Sequence, residues 1–316
     1  MPRHRFLVLL SALCFGTTGT AQALGAAGAS PVTVGEVRIV IGALGLQVAA
    51  RWAGRARVPG GSPATVALLP RSPRMWMAAA AVAGYQVTFF LAVRSTGVAV
   101  GTVVALGSAP VLTGALGWIL GHGRPGRRWA AATGLAAAGL AVLTLHSGAA
   151  RISTTGVVLA LGAGVSYAVY TLTVKQAIGS GAGPEAIMAT LFTGGALLLA
   201  PVLIVLPIGW LATAGGALAA VWLGLVPTTL AYVLFARGLH GLSAAEASTL
   251  TLAEPLTAAL LGVLLLSETL SAGTVAGAAL LLLGLVVLGI SRRPSSGAGP
   301  GAAPGPATTP VKPVNR

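Results

Sequence analysis

Apolar residues in this chain gather into long runs, and the basic residues sit in the short gaps between them. A bilayer core of about 30 Å is crossed by about 20 apolar residues of helix. Ten stretches approach that length: Phe6 to Gly25, Val34 to Trp52, Met75 to Val93, Val98 to Leu120, Trp129 to His146, Thr155 to Lys175, Ala186 to Leu206, Gly215 to Phe235, Ala244 to Leu266 and Ala272 to Ile290. The pattern predicts an all-α membrane protein with ten transmembrane helices. The stretch 292–316 is rich in Pro, Gly, Ala and Ser, cannot bury enough apolar surface to fold, and is predicted to be a disordered tail.

Orientation follows from the basic residues, which accumulate in cytoplasmic loops. With the N-terminus inside, Arg3, Arg5, Arg51, Arg55, Arg57, Arg71, Arg74, Arg124, Arg127, Arg128, Lys175, Arg237, Arg292 and Arg293 fall on one side. Only Arg94 and Arg151 fall on the other, and Arg38 lies within a span. Both termini are therefore expected in the cytoplasm, with the chain in the inner (plasma) membrane. A competing reading makes residues 1–23 a cleaved signal peptide, since Arg3 and Arg5 precede an apolar stretch and Ala21-Gln22-Ala23 resembles a cleavage site. Against it, the apolar run continues through Cys14 to Gly19.

Composition narrows the function. Of 316 residues 8% are charged, against about 25% in a soluble domain, and mean hydropathy is +0.90. The net charge of +14 would suggest nucleic acid if it formed a soluble patch. Scattered through loops it does not, so the expected partners are the lipid bilayer and a small-molecule substrate. The single cysteine, Cys14, supports neither a disulfide framework nor a thiolate metal site. There is no Asp, no His-Glu-x-x-His and no phosphate loop, and the histidines are scattered at His4, His122, His146 and His240. No catalytic residue, cofactor or metal is expected.

Sliding the chain by 145 residues places Pro110 on Pro255, Leu116-Gly117 on Leu261-Gly262 and Gly139-Leu140 on Gly284-Leu285. A unit with an odd number of spans must be followed by one of opposite orientation. The chain is thus read as two inverted five-helix repeats, 1–150 and 151–291. Such repeats recur in secondary transporters, whose substrate site lies at the midplane between the halves.

The second repeat contains Ala231-Tyr232-Val233-Leu234-Phe235-Ala236-Arg237-Gly238-Leu239, Ser243-Ala244-Ala245-Glu246-Ala247, Ala253-Glu254-Pro255-Leu256 and Leu265-Leu266-Ser267-Glu268-Thr269-Leu270. In these segments it resembles the EamA-type members of the drug/metabolite transporter superfamily. The first repeat, with Arg38 and Ala109-Pro110-Val111, is similar but more weakly marked. The resemblance covers about residues 6–290 and implies alternating access around a cavity lined by spans one to four and six to nine. The chain departs from the pattern at the end of span four, where Gly121-His122-Gly123 stands in place of a terminal Glu.

A charge at the centre of a membrane helix costs about 2.5 to 3.5 kcal/mol, so each ionisable group within a span calls for a reason. Thr33 to Glu36 and Ser243 to Glu246 read as capping boxes, and Glu185 follows Pro184 in a first helical turn. Glu254, near the middle of span nine, is the candidate acid of a central cavity or else a carboxylate paired inside the bundle. Pro255 should leave the Thr251 carbonyl without its helical partner, and Pro110 that of Leu106. Glu268 opposes the dipole at the end of span nine, so a gate-like or structural pair with Arg94 or Arg151 is expected. Arg38 either snorkels outward or faces the cavity, and the resemblance implies the cavity. Tyr85, Tyr167, Tyr170, Trp222 and Tyr232 lie within spans and either line a substrate path or pack against neighbours. Gly273 and Gly277 form a small-residue face that suits an internal helix contact or a homodimer seam. The function expected is a secondary transporter that exports a small polar metabolite, an amino acid or similar; a passive channel and a non-transporting scaffold are the alternatives.

Overall fold

The computed structural model describes residues 3–57, 69–145, 153–267 and 271–290. They form ten helical rods: α1 (Arg3–Gly25), α2 (Pro31–Arg57), α3 (Pro73–Thr96), α4 (Val98–Ile119), α5 (Arg127–Leu145), α6 (Thr154–Gly179), α7 (Pro184–Val205), α8 (Ala214–His240), α9 (Ala244–Leu266) and α10 (Ala272–Ile290). Nine are long and apolar enough to cross a membrane. The remaining rod, α5, opens on Arg127 and Arg128 and is built largely of Ala and Gly, and it lies along the length of α10. The tail 292–316 lies outside the described residues.

The principal contacts join one repeat to the other. α1 packs on α8 and α9, α2 on α7 and α8, α3 on α6 and α7, α4 on α6, and α5 on α10. This is the signature of an inverted repeat: exchanging the halves converts the α1–α9 contact into α6–α4 and the α2–α8 contact into α7–α3, while α2–α7 and α5–α10 map onto themselves.

Without a hydrophobic force between helices in lipid, close packing through small residues holds such crossings. A Cβ added at Gly277 would lie 2.6 Å from the Leu143 Cα and 2.8 Å from the Gly139 carbonyl oxygen; one at Gly139 would lie 2.7 Å from the Leu281 Cα. The face of α10 that carries Gly277 is thus occupied within the chain, by α5. Gly277→Leu would drive two backbones apart, and overpacking of this kind costs about 1–3 kcal/mol. A lowered melting temperature in detergent is expected; an unchanged one would show that α5 and α10 do not touch there.

Two ion pairs tie helix ends together among the described residues. Arg5 reaches Glu246 at 2.7 Å and the Gly289 carbonyl at 2.6 Å, and Arg237 reaches Glu185 at 2.6 Å. Lys175 donates to the carbonyls of Leu239 at 2.8 Å and His240 at 3.2 Å, at the end of α8 where the helix dipole favours a cation.

Two expectations about caps change. At Ser243 half of the box forms, the Glu246 N–H donating to the serine hydroxyl at 3.1 Å, but the Glu246 carboxylate turns to Arg5 instead of closing the box. At Thr33 there is no box. Pro31, with its preset φ, starts α2 three residues before the expected Val34. Thr33 is therefore inside the first turn, its hydroxyl donating to the Ser30 carbonyl at 2.9 Å. Glu36 is consequently not at a helix end; it is 2% exposed, and neither carboxylate oxygen has a partner among the described residues.

Candidate functional site

Three buried prolines lie within helices, and the chain meets each differently. In α9 the backbone tightens into a 3₁₀ turn over Thr251–Ala253, and the Glu254 N–H donates to the Thr251 carbonyl. That carbonyl, expected to be left bare by Pro255, is satisfied by the shorter loop of the 3₁₀ bond. In α8 the backbone widens into a π turn over Leu225–Leu230 around Pro227. Pro227 cannot bond the Leu223 carbonyl, and the Thr228 hydroxyl does so instead at 2.8 Å; the Thr229 hydroxyl covers the Gly224 carbonyl at 3.0 Å and also faces the Gly42 carbonyl on α2 at 3.2 Å. α4 runs through Pro110 as a continuous helix. Pro110 and Pro255 are both buried.

Glycines let the partner helices press on these interruptions. A Cβ on Gly16 of α1 would come within 2.7 Å of the Glu254 carbonyl oxygen and 2.5 Å of the Thr257 Cβ. The mirror contact places Gly164 of α6 on α4 against Ser108 and Leu112.

Arg38 and Glu254 both belong to this interior, each half-buried. The Arg38 Nη2 donates to the Gln86 Oε1 at 3.2 Å, while its Nε, buried, has no partner among the described residues. Gln86 in turn donates from Nε2 to the Gly35 carbonyl at 3.4 Å, which fixes the amide between α2 and α3. The Glu254 carboxylate is half-buried and carries no hydrogen bond or ion pair among the described residues, yet the charge of Arg38 acts on it. The two are near enough to feel each other and do not close into a salt bridge.

Tyrosines wall this acid and base. The charges of both Arg38 and Glu254 act on Tyr85 and Tyr232, and that of Glu254 also on Tyr167. Tyr167 lies 3.1 Å from the Thr251 Oγ1. The Thr251 hydroxyl already donates to the Ser248 carbonyl at 2.8 Å, so the phenol is the donor, anchoring α6 to the 3₁₀ turn of α9. Tyr170, 4% exposed, packs edge-on against Tyr167 at 5.1 Å between ring centroids, and Tyr232 sits 4.3 Å from Phe192 and 5.0 Å from Phe15. Tyr85, Tyr167 and Tyr232 remain half-buried.

Of the residues singled out from sequence, Arg38, Tyr85, Tyr167, Tyr170, Tyr232, Glu254 and Pro255 come together. Trp222 is apart from these ring contacts; it is 43% exposed and its indole N–H donates to the Thr17 hydroxyl of α1 at 3.1 Å. Arg94 is exposed in the last turn of α3, a place where the helix dipole suits it. Its expected partner Glu268, and Arg151, the alternative partner of that carboxylate, lie outside the described residues. Sequence reading missed Gln86, Pro227 with its two threonines, and Glu36. A lone amide within an apolar run and a third mid-span proline were the signals for the first two; a three-residue shift of a helix start hid the third. Among the described residues no three His, Cys, Asp or Glu side chains gather to hold a metal.

The sequence matches the model of the EamA-like transporter family twice, over residues 4–145 and 154–290. The chain belongs to the EamA-like transporter family. Its relatives include an uncharacterized transporter of Bacillus subtilis (strain 168), YwfM, 42% identical over 290 residues that cover 92% of this chain and 95% of the relative. An uncharacterized transporter of Archaeoglobus fulgidus is 32% identical over 135 residues, 42% of this chain and 47% of the relative. A protein crystal structure that is 21% identical superposes with a TM-score of 0.76, over 90% of this chain and 96% of that one, and shares the fold. This EamA-like chain is accordingly a multi-pass membrane transporter.

Proposed function

We propose that the protein is a secondary carrier that exports a small polar metabolite, an amino acid or similar, by alternating access around the interior cluster. One observation carries the reading: Arg38 and Glu254, an acid and a base at membrane depth, sit within electrostatic reach of each other without pairing. Isolated charges in hydrocarbon are expensive, and those that persist mark substrate or ion pathways. An open cation beside an open carboxylate complements a zwitterion, with the substrate carboxylate on the guanidinium and its ammonium on Glu254. The tyrosine hydroxyls add polar handles on otherwise apolar walls. Broken helices at the junction of inverted repeats are where such carriers place their sites.

Counterflow in proteoliposomes tests the reading. With a panel of radiolabelled amino acids outside and the same compounds unlabelled inside, saturable accumulation of label is expected for at least one. Flux that does not saturate and shows no counterflow would make the protein a channel; no flux for any polar metabolite tried would leave a scaffold.

A further inference from the structure

A space lined by basic side chains opens apart from the tyrosine-walled cluster and shares no lining residue with it. It has a volume of about 710 Å³ and lies beneath α4, α5, α6 and the start of α9, a size typical of sites for small organic ligands. Its basic groups are Arg5, Arg124, Arg127, Arg128 and Lys175, and its one carboxylate is Glu246. Glu246 is already neutralised by Arg5, and Lys175 is turned to the end of α8. Arg124 lies over the Trp118 ring at 5.4 Å. Arg127 and Arg128 are exposed and have no hydrogen-bonding or ionic partner among the described residues. The positive charge of this space is therefore uncompensated by the protein. Behind the arginines the walls are apolar, formed by Trp129, Leu172 and Leu288.

We propose that this space is a binding site for a phosphate group, supplied by an anionic phospholipid headgroup whose first chain carbons rest on the apolar wall. Arginine suits the task because its planar fork meets phosphate oxygens two at a time. Basic pockets between membrane helices hold anionic headgroups on the same grounds. The first N–H groups of α5, which begins at Arg127, add unpaired donors on the same side. The assignment is independent of what the carrier transports.

Positive loops alone would attract any anionic surface, so the test compares arginines inside the space with arginines outside it on the same face. Purified protein is placed in nanodiscs of phosphatidylcholine with or without phosphatidylglycerol, and thermal unfolding is recorded. Phosphatidylglycerol is expected to raise the melting temperature of the wild type and of Arg71→Gln/Arg74→Gln by roughly 5 °C. The gain should vanish in Arg124→Gln/Arg127→Gln/Arg128→Gln. A parallel arm adds inorganic phosphate to phosphatidylcholine discs. Stabilisation there with the same dependence on Arg124, Arg127 and Arg128 keeps the site and makes its natural ligand a soluble phosphate compound. Equal loss in both arginine sets, or no gain in the wild type, overturns the proposal. Should the triple variant not fold, Arg127→Gln and Arg128→Gln singly, read by the phosphatidylglycerol retained in native mass spectrometry, decide it in the same way.

Discussion

Arg38→Leu is expected to weaken the apparent affinity for substrate on the order of 100-fold, measured as the half-saturating concentration in counterflow. Truncating one partner of a buried charged contact costs about 2–5 kcal/mol, and each 1.4 kcal/mol is about tenfold. Gln86, itself bonded to the Gly35 carbonyl, holds the guanidinium in place, so Gln86→Leu should produce a smaller loss in the same direction by freeing it. Arg38→Lys should recover only part of the affinity, because an ammonium keeps the charge and loses the fork. If protons drive the carrier, Glu254 is the candidate coupling group, and Glu254→Gln then separates recognition from coupling. Flux driven by a pH gradient should disappear while exchange at equal pH survives at reduced affinity. Retained response to the gradient would remove Glu254 from coupling, and an Arg38→Leu protein with wild-type affinity would remove the acid–base pair from recognition altogether.

The largest expected effect on stability lies at the other end of the molecule. Arg5→Leu leaves Glu246 with no cation, and both side chains are shielded, at 8% and 17% exposure. Removing one member of a buried pair costs about 3–5 kcal/mol, whereas replacing both by apolar residues of similar volume is often neutral. Arg5→Leu should therefore unfold in detergent at a much lower temperature, and Arg5→Met/Glu246→Met should regain most of the loss. A double variant as unstable as the single would show that the bond from Arg5 to the Gly289 carbonyl, which ties α1 to α10, and not the ion pair, supplies the stability.

The span pattern made the fold legible because membrane helices must be apolar throughout, so that ten helices and their alternating direction follow from run length and parity. Pairing was harder. That α5 lies on α10 is carried by Gly139, Gly277 and Gly284, whose meaning depends on which backbone stands opposite. At the site, Arg38 and Glu254 stood out because charge is rare in these runs, and the tyrosines because their rings lie mid-span. What sequence left out was local backbone detail. The Thr251 carbonyl looked bare on the assumption that α9 stays α-helical up to Pro255, and a 3₁₀ turn removes the problem. Glu36 looked like a cap because Thr33 precedes it, but Pro31 starts the helix first. In each case proline decided what the regular pattern hid, a different winding at Pro255 and an earlier helix start at Pro31.

The unequal winding of the two repeats has a mechanical consequence. α8 is loosened by a π turn and α9 tightened by a 3₁₀ turn, while their counterparts α3 and α4 are unbroken. Interrupted rods bend more easily than continuous ones. Deformation during a transport cycle would therefore concentrate in the second repeat, leaving the first as the stiffer frame. Two conformations related by exchanging the roles of unlike halves cannot have equal energies, so the empty protein would rest with one side of the membrane favoured.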